Sequence, residues 1–275
     1  MELNALLASE LALPYAPKVV AMFLNELAHP DPNLRVLGQL VGADPVLTVR
    51  LLAQANAAGT PMAGQVYSIP EALAILSTEQ LRGLAHTATH SLGPQTLASL
   101  SLPQFWHFSV DVAKLSRALA GTIRNHLCTA YAIGLLHAVG ELALHIAMPD
   151  EMEALNQTQP PFDLRRARLE HKRLGYSYAD VAAGLARQWQ LPERLVDALQ
   201  YQIAPFDNES YEPLAGVLHL AAWRVRAKEG ALDDNALAVS FPGEIGVPLG
   251  LDIDIVLQQD PLDWRDQSAP FLPRL

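Results

Sequence analysis

The sequence predicts an all-α protein. Three observations carry that expectation: apolar residues recur at helical spacing through most of the 275-residue chain, proline and capping residues punctuate those runs, and period-two strand patterns are scarce. Half of the residues are hydrophobic, enough for a substantial core.

The punctuation reads in order. Pro17 opens a helix over 18–27, with Val20, Leu24 and Leu27 on one stripe. Asp31-Pro32 opens 33–42, with Leu34, Leu37 and Val41 inward, and Asp44-Pro45 opens 46–58, which Gly59 can stop. In both pairs the aspartate is expected to cap free backbone N–H groups, while proline sits where its missing N–H costs nothing. Ser68-Ile-Pro-Glu71 and Ser77-Thr-Glu-Gln80 read as capping boxes for 72–76 and 81–92, and Gly93-Pro94 breaks the second run. Pro103 begins a long amphipathic segment to about Arg124. A strongly apolar helix is expected over 130–148, ended by Pro149. Asp163 and Ser177 start two more, with Gly175 between them. Pro192 restarts the chain for 193–203, and Pro213 begins a helix that Gly230 stops. The 231–275 tail is richer in proline and β-branched residues and carries no firm pattern. The expected organisation is an N-terminal helical subdomain over 10–100, a second over 101–230 and a C-terminal extension over 231–275.

Composition excludes several classes. No run of about eighteen uncharged apolar residues spans a bilayer, and 1–10 is acidic without the basic and apolar regions of a secretory signal. Cys128 is the only cysteine, which rules out an internal disulfide framework and fits a reducing, cytoplasmic setting. The formal charge of −10 opposes binding of a phosphate backbone. The strongest local exception is Arg165, Arg166, Arg168, His171, Lys172 and Arg173, read as a solvated helix face.

Two stretches resemble a known family. Asp44-Pro45-Val-Leu47-Thr-Val-Arg-Leu51-Leu52 through Asn56 is similar to the D-P-x-L-x-x-x-L-L signature of HDOD domains, with Ala57 where the family has serine. Glu71-Ala72 and Leu76-Ser77 resemble its next segment. Gly134-Leu-Leu-His137-Ala138-Val-Gly140-Glu-Leu142 resembles the "LLHDIGKL" motif of the HD superfamily, and Leu174-Gly175 through Trp189-Gln-Leu-Pro192 to Leu199 a later family run. Order and spacing together make the match specific over roughly 10–228. The resemblance implies a multi-helix HDOD fold: an N-terminal helical subdomain packed on a degenerate relative of the HD and HD-GYP phosphohydrolases.

HD enzymes hold divalent metal through histidines and aspartates, because the metal must polarise a phosphoryl oxygen and acidify a bound water. By the resemblance those positions fall on Phe108, His137, Ala138, Tyr178, Gln202, Ile203 and Ala222, so that only His137 keeps a ligand. The implied function is a bacterial signal-transduction output module, of response-regulator type, that acts through protein contacts without turnover. Its partners would be receiver domains, sensor kinases or GGDEF proteins. No receiver-like βα segment precedes Leu11, so phosphorylation input would come from elsewhere. No metal or cofactor is expected, and nucleic acid and membrane are not expected partners. A nucleotide in the remnant cleft, lined by Trp106, Trp189, Trp223 and Tyr201, is a lower-ranked reading.

The competing reading is a divergent metal-dependent phosphohydrolase or cyclic-dinucleotide phosphodiesterase using His107, His137, His171 and His219. For His137 itself, a core residue bonded to a neighbouring carbonyl is the plainer expectation. His86 and His90 share a helix face but lack the intervening glutamate of a zinc-protease motif. His126 and Cys128, two apart, do not face each other on a helix, and a lone cysteine is more often a small buried hydrophobe. The plain reading of Asp44, Pro45 and Asn56 is likewise structural: cap, first-turn proline and helix end.

Overall fold

A computed structural model describes residues 1–60, 62–90, 93, 96–97 and 99–258, and the expected break at Pro94 lies outside them. Helices α1 (Leu3–Leu7) to α6 build the first half: α2 (Pro17–Leu27), α3 (Leu34–Val41), α4 (Pro45–Asn56), α5 (Ile69–Ile75) and α6 (Thr78–His90). The second half contains α7 (Leu102–Thr122), α8 (Leu127–Leu136), α9 (Val139–Ala147), α10 (Pro149–Asn156), α11 (Arg166–Leu174), α12 (Tyr178–Gln188), α13 (Glu193–Gln200) and α14 (Pro213–Glu229). Then follow α15 (Asp234–Ser240), α16 (Gly243–Gly246) and α17 (Ile253–Gln258). No strand forms among the described residues beyond one isolated bridge, Leu97 to Leu100.

Local chemistry explains most starts. Asp44 Oδ1 accepts the N–H of Val46 at 2.8 Å and of Leu47 at 2.9 Å, capping α4 as expected. Ser77 and Gln80 exchange bonds of 2.8 and 3.2 Å in a full capping box. Ser177 and Asp180 do the same for α12, and Gly175 closes α11 at φ +85°.

Two caps differ from expectation. Asn33, not Asp31, caps α3, accepting from Arg35 and Val36 at 2.9 and 3.3 Å, because a cap must immediately precede the first helical residue. Ser68 makes no side-chain cap bond; Pro70 at the second helical position offers no N–H, and the Glu71 N–H is left without the serine. Glu71 instead accepts the Tyr67 N–H at 2.7 Å.

The single apolar helix expected over 130–148 is two helices with a turn at His137-Ala138. His137 Nδ1 bonds the Gly134 carbonyl at 2.7 Å. That oxygen is the one the Ala138 N–H would use in an unbroken helix, so the side chain competes with the ladder where it fails. The stretch Leu127–Ala147 is also long and apolar enough to cross a bilayer. Glu141 hides this in the sequence, and 83% of its most apolar window is buried inside the protein.

α7 packs along α8 and α14, α9 against α12, and α4 against α5, α6 and α8. Glycine permits the closest crossings. A Cβ on Gly134 would lie 2.7 Å from Ala113 Cα. One on Gly140 would overlap the Tyr178 carbonyl oxygen and lie 2.8 Å from Ala182 N. One apolar cluster runs through both halves of the chain. The tail, which carried no firm pattern in sequence, joins it as far as Gln258: Ile245, Leu251 and Val256 are buried there. Each such side chain contributes about 1.5–3 kcal/mol.

Candidate functional site

The turn at His137 places that residue at the meeting of α7, α12, α13 and α14. Its ring lies 5.2 Å from Phe108 of α7, which stacks at 4.3 Å on Phe162. Gln202, just past α13, donates from Nε2 to the His137 carbonyl at 3.2 Å and to Leu199 at 2.8 Å. His219 of α14 turns Nδ1 to the Gln202 carbonyl at 2.8 Å. Tyr178, Gln202, Ile203 and Ala222 line one pocket of about 480 Å³. So Phe108, His137, Tyr178, Gln202, Ile203 and Ala222 converge on one neighbourhood, and Ala138 is buried at the turn itself.

An arginine the sequence reading passed over occupies the centre. Arg226 of α14 is 7% exposed. Its guanidinium carbon sits 5.1 Å from the Tyr178 ring centre and 5.7 Å from that of Phe108. One nitrogen donates weakly to the Asp163 carbonyl at 3.3 Å. Burial, and then the Arg226 charge, push His137 down to about 3, against the pull of its bond to Gly134. Burial also lowers His219. Both imidazoles are therefore neutral at physiological pH, with Nδ1 the donor where it faces a carbonyl.

A second polar cluster lies nearby, with Glu141, His145, Arg166 and Glu170 all buried. Arg166 sits at its hub, 2.8 Å from Glu170 and 3.1 Å from Glu141, and donates at 2.8 Å to both Asn156 Oδ1 and the Gln159 carbonyl. His145 reaches Glu141 at 3.2 Å and Ser99 at 2.6 Å. Glu170 also accepts the Tyr178 N–H at 2.8 Å. Burial, and then the Glu141 carboxylate, raise Glu170 well above the usual carboxylate range. Burial pushes His145 down to about 4, so its contact with Glu141 is a hydrogen bond from a neutral imidazole and not an ion pair. This corrects the solvated basic face expected over 165–173: its second arginine is completely buried, because two acids and two oxygen acceptors await it.

Other candidates disperse. His107 is exposed and turns back to the Pro103 carbonyl at 2.8 Å. His171 is exposed, and His90 bonds the His86 backbone at 2.8 Å. Among the described residues, no three His, Cys, Asp or Glu side chains gather as metal ligands. Of the aromatics, Trp223 lines the pocket, whereas Trp189 packs under Arg50 of α4 at 5.8 Å. Cys128 is exposed, not buried, because it lies in the first turn of α8 beside an open groove.

A family model described as the HDOD domain matches residues 13–205. The chain belongs to the HDOD family. It is 23% identical over 221 residues to an uncharacterized protein of Treponema pallidum (strain Nichols), covering 79% of this chain and 43% of that one; it thus spans less than half of that relative. The MmoQ response regulator of Methylococcus capsulatus str. Bath (fragment 20–298) is similar in structure. Its TM-score is 0.70 at 25% identity, over 89% of this chain and 94% of that one. A candidate phosphohydrolase from Shewanella amazonensis SB2B scores 0.53 at 26% identity, over 93% and 91%.

The HDOD signature residues then have physical roles. Asp44 caps α4 and, through Oδ2, accepts the Ala16 N–H at 2.6 Å, tying the N-terminal segment to α4. Burial pushes its carboxyl up to about 6, against three backbone donors that favour the anion. Pro45 supplies the first turn, and Leu51 and Leu52 are fully buried. Asn56 clamps the following loop, exchanging bonds of 3.0 and 2.9 Å with the Val66 backbone.

Proposed function

We propose that this HDOD chain is a bacterial, cytoplasmic signal-transduction module that works by protein contact and turns over no substrate. The observation that carries this is chemical. Where the HD resemblance puts metal ligands, the chain has Phe108, Ala138, Tyr178, Gln202, Ile203 and Ala222, with the fixed charge of Arg226 against the remaining His137. A divalent ion needs several anionic or lone-pair ligands and an open position, and a guanidinium nearby repels it. The likeness to a protein described as a response regulator supports the signalling half.

Contact needs a surface, and the groove between α3, α5, α7 and α8 supplies one. It encloses about 950 Å³ and is lined by apolar and small residues with Arg35, Lys114 and Arg117, and by no acid. Leu34 and Leu127 beside it are 55% and 42% exposed. In a chain of net charge −10, an acid-free apolar groove with three cations selects an acidic amphipathic helix. Such a helix would belong to a receiver domain, sensor kinase or GGDEF protein.

The test has two arms. Protein loaded with manganese and iron under reducing conditions, then desalted, should retain metal well below one atom per chain by elemental mass spectrometry. Stoichiometric metal together with phosphoester hydrolysis would sink the non-enzymatic reading. In the source bacterium, R35E/K114E/R117E should fold with an unchanged far-UV spectrum yet fail to complement a deletion. Full complementation would remove the groove from the account.

A further inference from the structure

The two buried arginines differ in one respect. Arg166 has two carboxylates within 3.1 Å. Arg226 has none within 4.0 Å among the described residues, and its Nε meets no acceptor. Two aromatic faces, the Tyr178 hydroxyl and the Asp163 carbonyl are all neutral partners, and they offset only part of the cost of a charge this far from water, which an anion would pair.

Arg226 also lines the 480 Å³ pocket, a size that suits a small organic molecule. Trp223, Tyr178 and Ile203 give it apolar walls, the tail residues Leu232 and Pro242 complete one side, and Arg165 stands at the mouth with its side chain 74% exposed. The lining acid, Asp163, is engaged by Arg165, at 3.6 Å from its guanidinium and 2.8 Å from its N–H. Two acceptors complement the cation. Gln202 Oε1 is buried without a partner, because the amide nitrogen is fixed by two carbonyls. His219 has committed Nδ1 to Gln202, which leaves Nε2 as a lone pair.

We infer that this pocket binds a small organic oxyanion, a carboxylate or phosphate ester on an apolar body, with its charge on Arg226; a ligand that also carries a donor would meet Gln202 and His219. The ligand would bridge α14, α11 and the tail, so its occupancy would report a metabolite to the module. This goes beyond the contact reading, and its failure would leave that reading standing.

Calorimetric titration decides it, with AMP, benzoate and inorganic phosphate as probes and adenosine and benzamide as their neutral counterparts. AMP or benzoate should bind the wild type at least about tenfold more tightly than its neutral counterpart, and R226M should lose about tenfold or more. Response to AMP alone identifies a phosphate, and to benzoate alone a carboxylate. If R226M does not fold, A222L decides, because it fills the pocket and leaves Arg226 in place; it should abolish binding. No heat from AMP or benzoate at about 10 mM, or binding that survives A222L, overturns the inference. Binding of inorganic phosphate only, insensitive to A222L, overturns it equally, as adventitious surface binding.

Discussion

Substituting Gly140 by alanine sets two effects of opposite sign against each other. Gly140 lies in the first turn of α9, where alanine is intrinsically better by about 1 kcal/mol. Against that, the new methyl would overlap the Tyr178 carbonyl oxygen and lie 2.8 and 2.9 Å from Ala182 N and Tyr178 C. Those atoms are backbone of α12, so no flexible side-chain end can swing aside. Either α9 and α12 separate by about 1 Å along a well-packed crossing, or the α12 start unwinds. Overpacking of this kind costs about 1–3 kcal/mol and occasionally more. With no soft neighbour to yield, the upper part of that range applies, and G140A is destabilised by about 2 kcal/mol net. For a chain of this size that lowers Tm by about 4–8 °C. The control is G83A within α6, where a Cβ would meet nothing within 4 Å. It should gain about 0.5–1 kcal/mol and raise Tm by about 1–4 °C. Differential scanning calorimetry reads both. A G140A midpoint at or above wild type would refute the claim that backbone contact fixes this glycine.

Substitutions at three further positions probe the polar interior. His137 is held at about 3 in the fold against 6.5 unfolded. The unfolded chain therefore binds the extra proton, and stability is whole above pH 6.5 and lost as pH falls from there toward 3. Between pH 7 and 5 that amounts to about 2 kcal/mol; urea unfolding of H137Q should show a pH slope flatter by that amount, and equal slopes would show that His137 titrates alike in both states. N56A strands the Val66 N–H and carbonyl and should cost about 2–4 kcal/mol, with faster proteolysis between 57 and 68; an unchanged cleavage rate would count against the clamp. R166L leaves Glu141 and Glu170 facing each other and should lose about 3–5 kcal/mol. R166K should rescue little, since its point charge cannot repeat the fork, and a full rescue by lysine would contradict the geometry.

Most helix starts were legible where the deciding chemistry is local, the caps at Asn33 and Ser68 being the exceptions. Asp44-Pro45, Ser77 with Gln80 and Ser177 with Asp180 each carry donor and acceptor within four residues. Features decided across the fold were not. Arg166 reads as one cation in a basic run, and it turns inward because the fold brings Glu141, twenty-five positions upstream on α9, together with Asn156, Gln159 and Glu170 around it. The break after Leu136 depends on where one imidazole finds a carbonyl. Arg226 matches no motif, and nothing in its own helix announces that it faces Phe108 and Tyr178 rather than solvent. The tail to Gln258 lacks periodicity because its buried residues come singly from short turns.

Arg226 also bears on how reversible the loss of a metal site would be. Restoring aspartate at position 138 rebuilds the His-Asp pair in sequence, yet it returns only one anion to a cleft that already holds a fixed cation. The nearest favourable state for that carboxylate is an ion pair with the guanidinium, not a metal complex, because Phe108, Tyr178 and Ala222 supply no inward anion to outweigh Arg226. A138D should therefore take up no stoichiometric manganese or iron. It should instead weaken the downward push of Arg226 on His137, visible by NMR as an imidazole that titrates higher than about 3. Metal uptake by A138D at one atom per chain would show that the cleft is one substitution from a metal centre, and that Arg226 is a bystander in it.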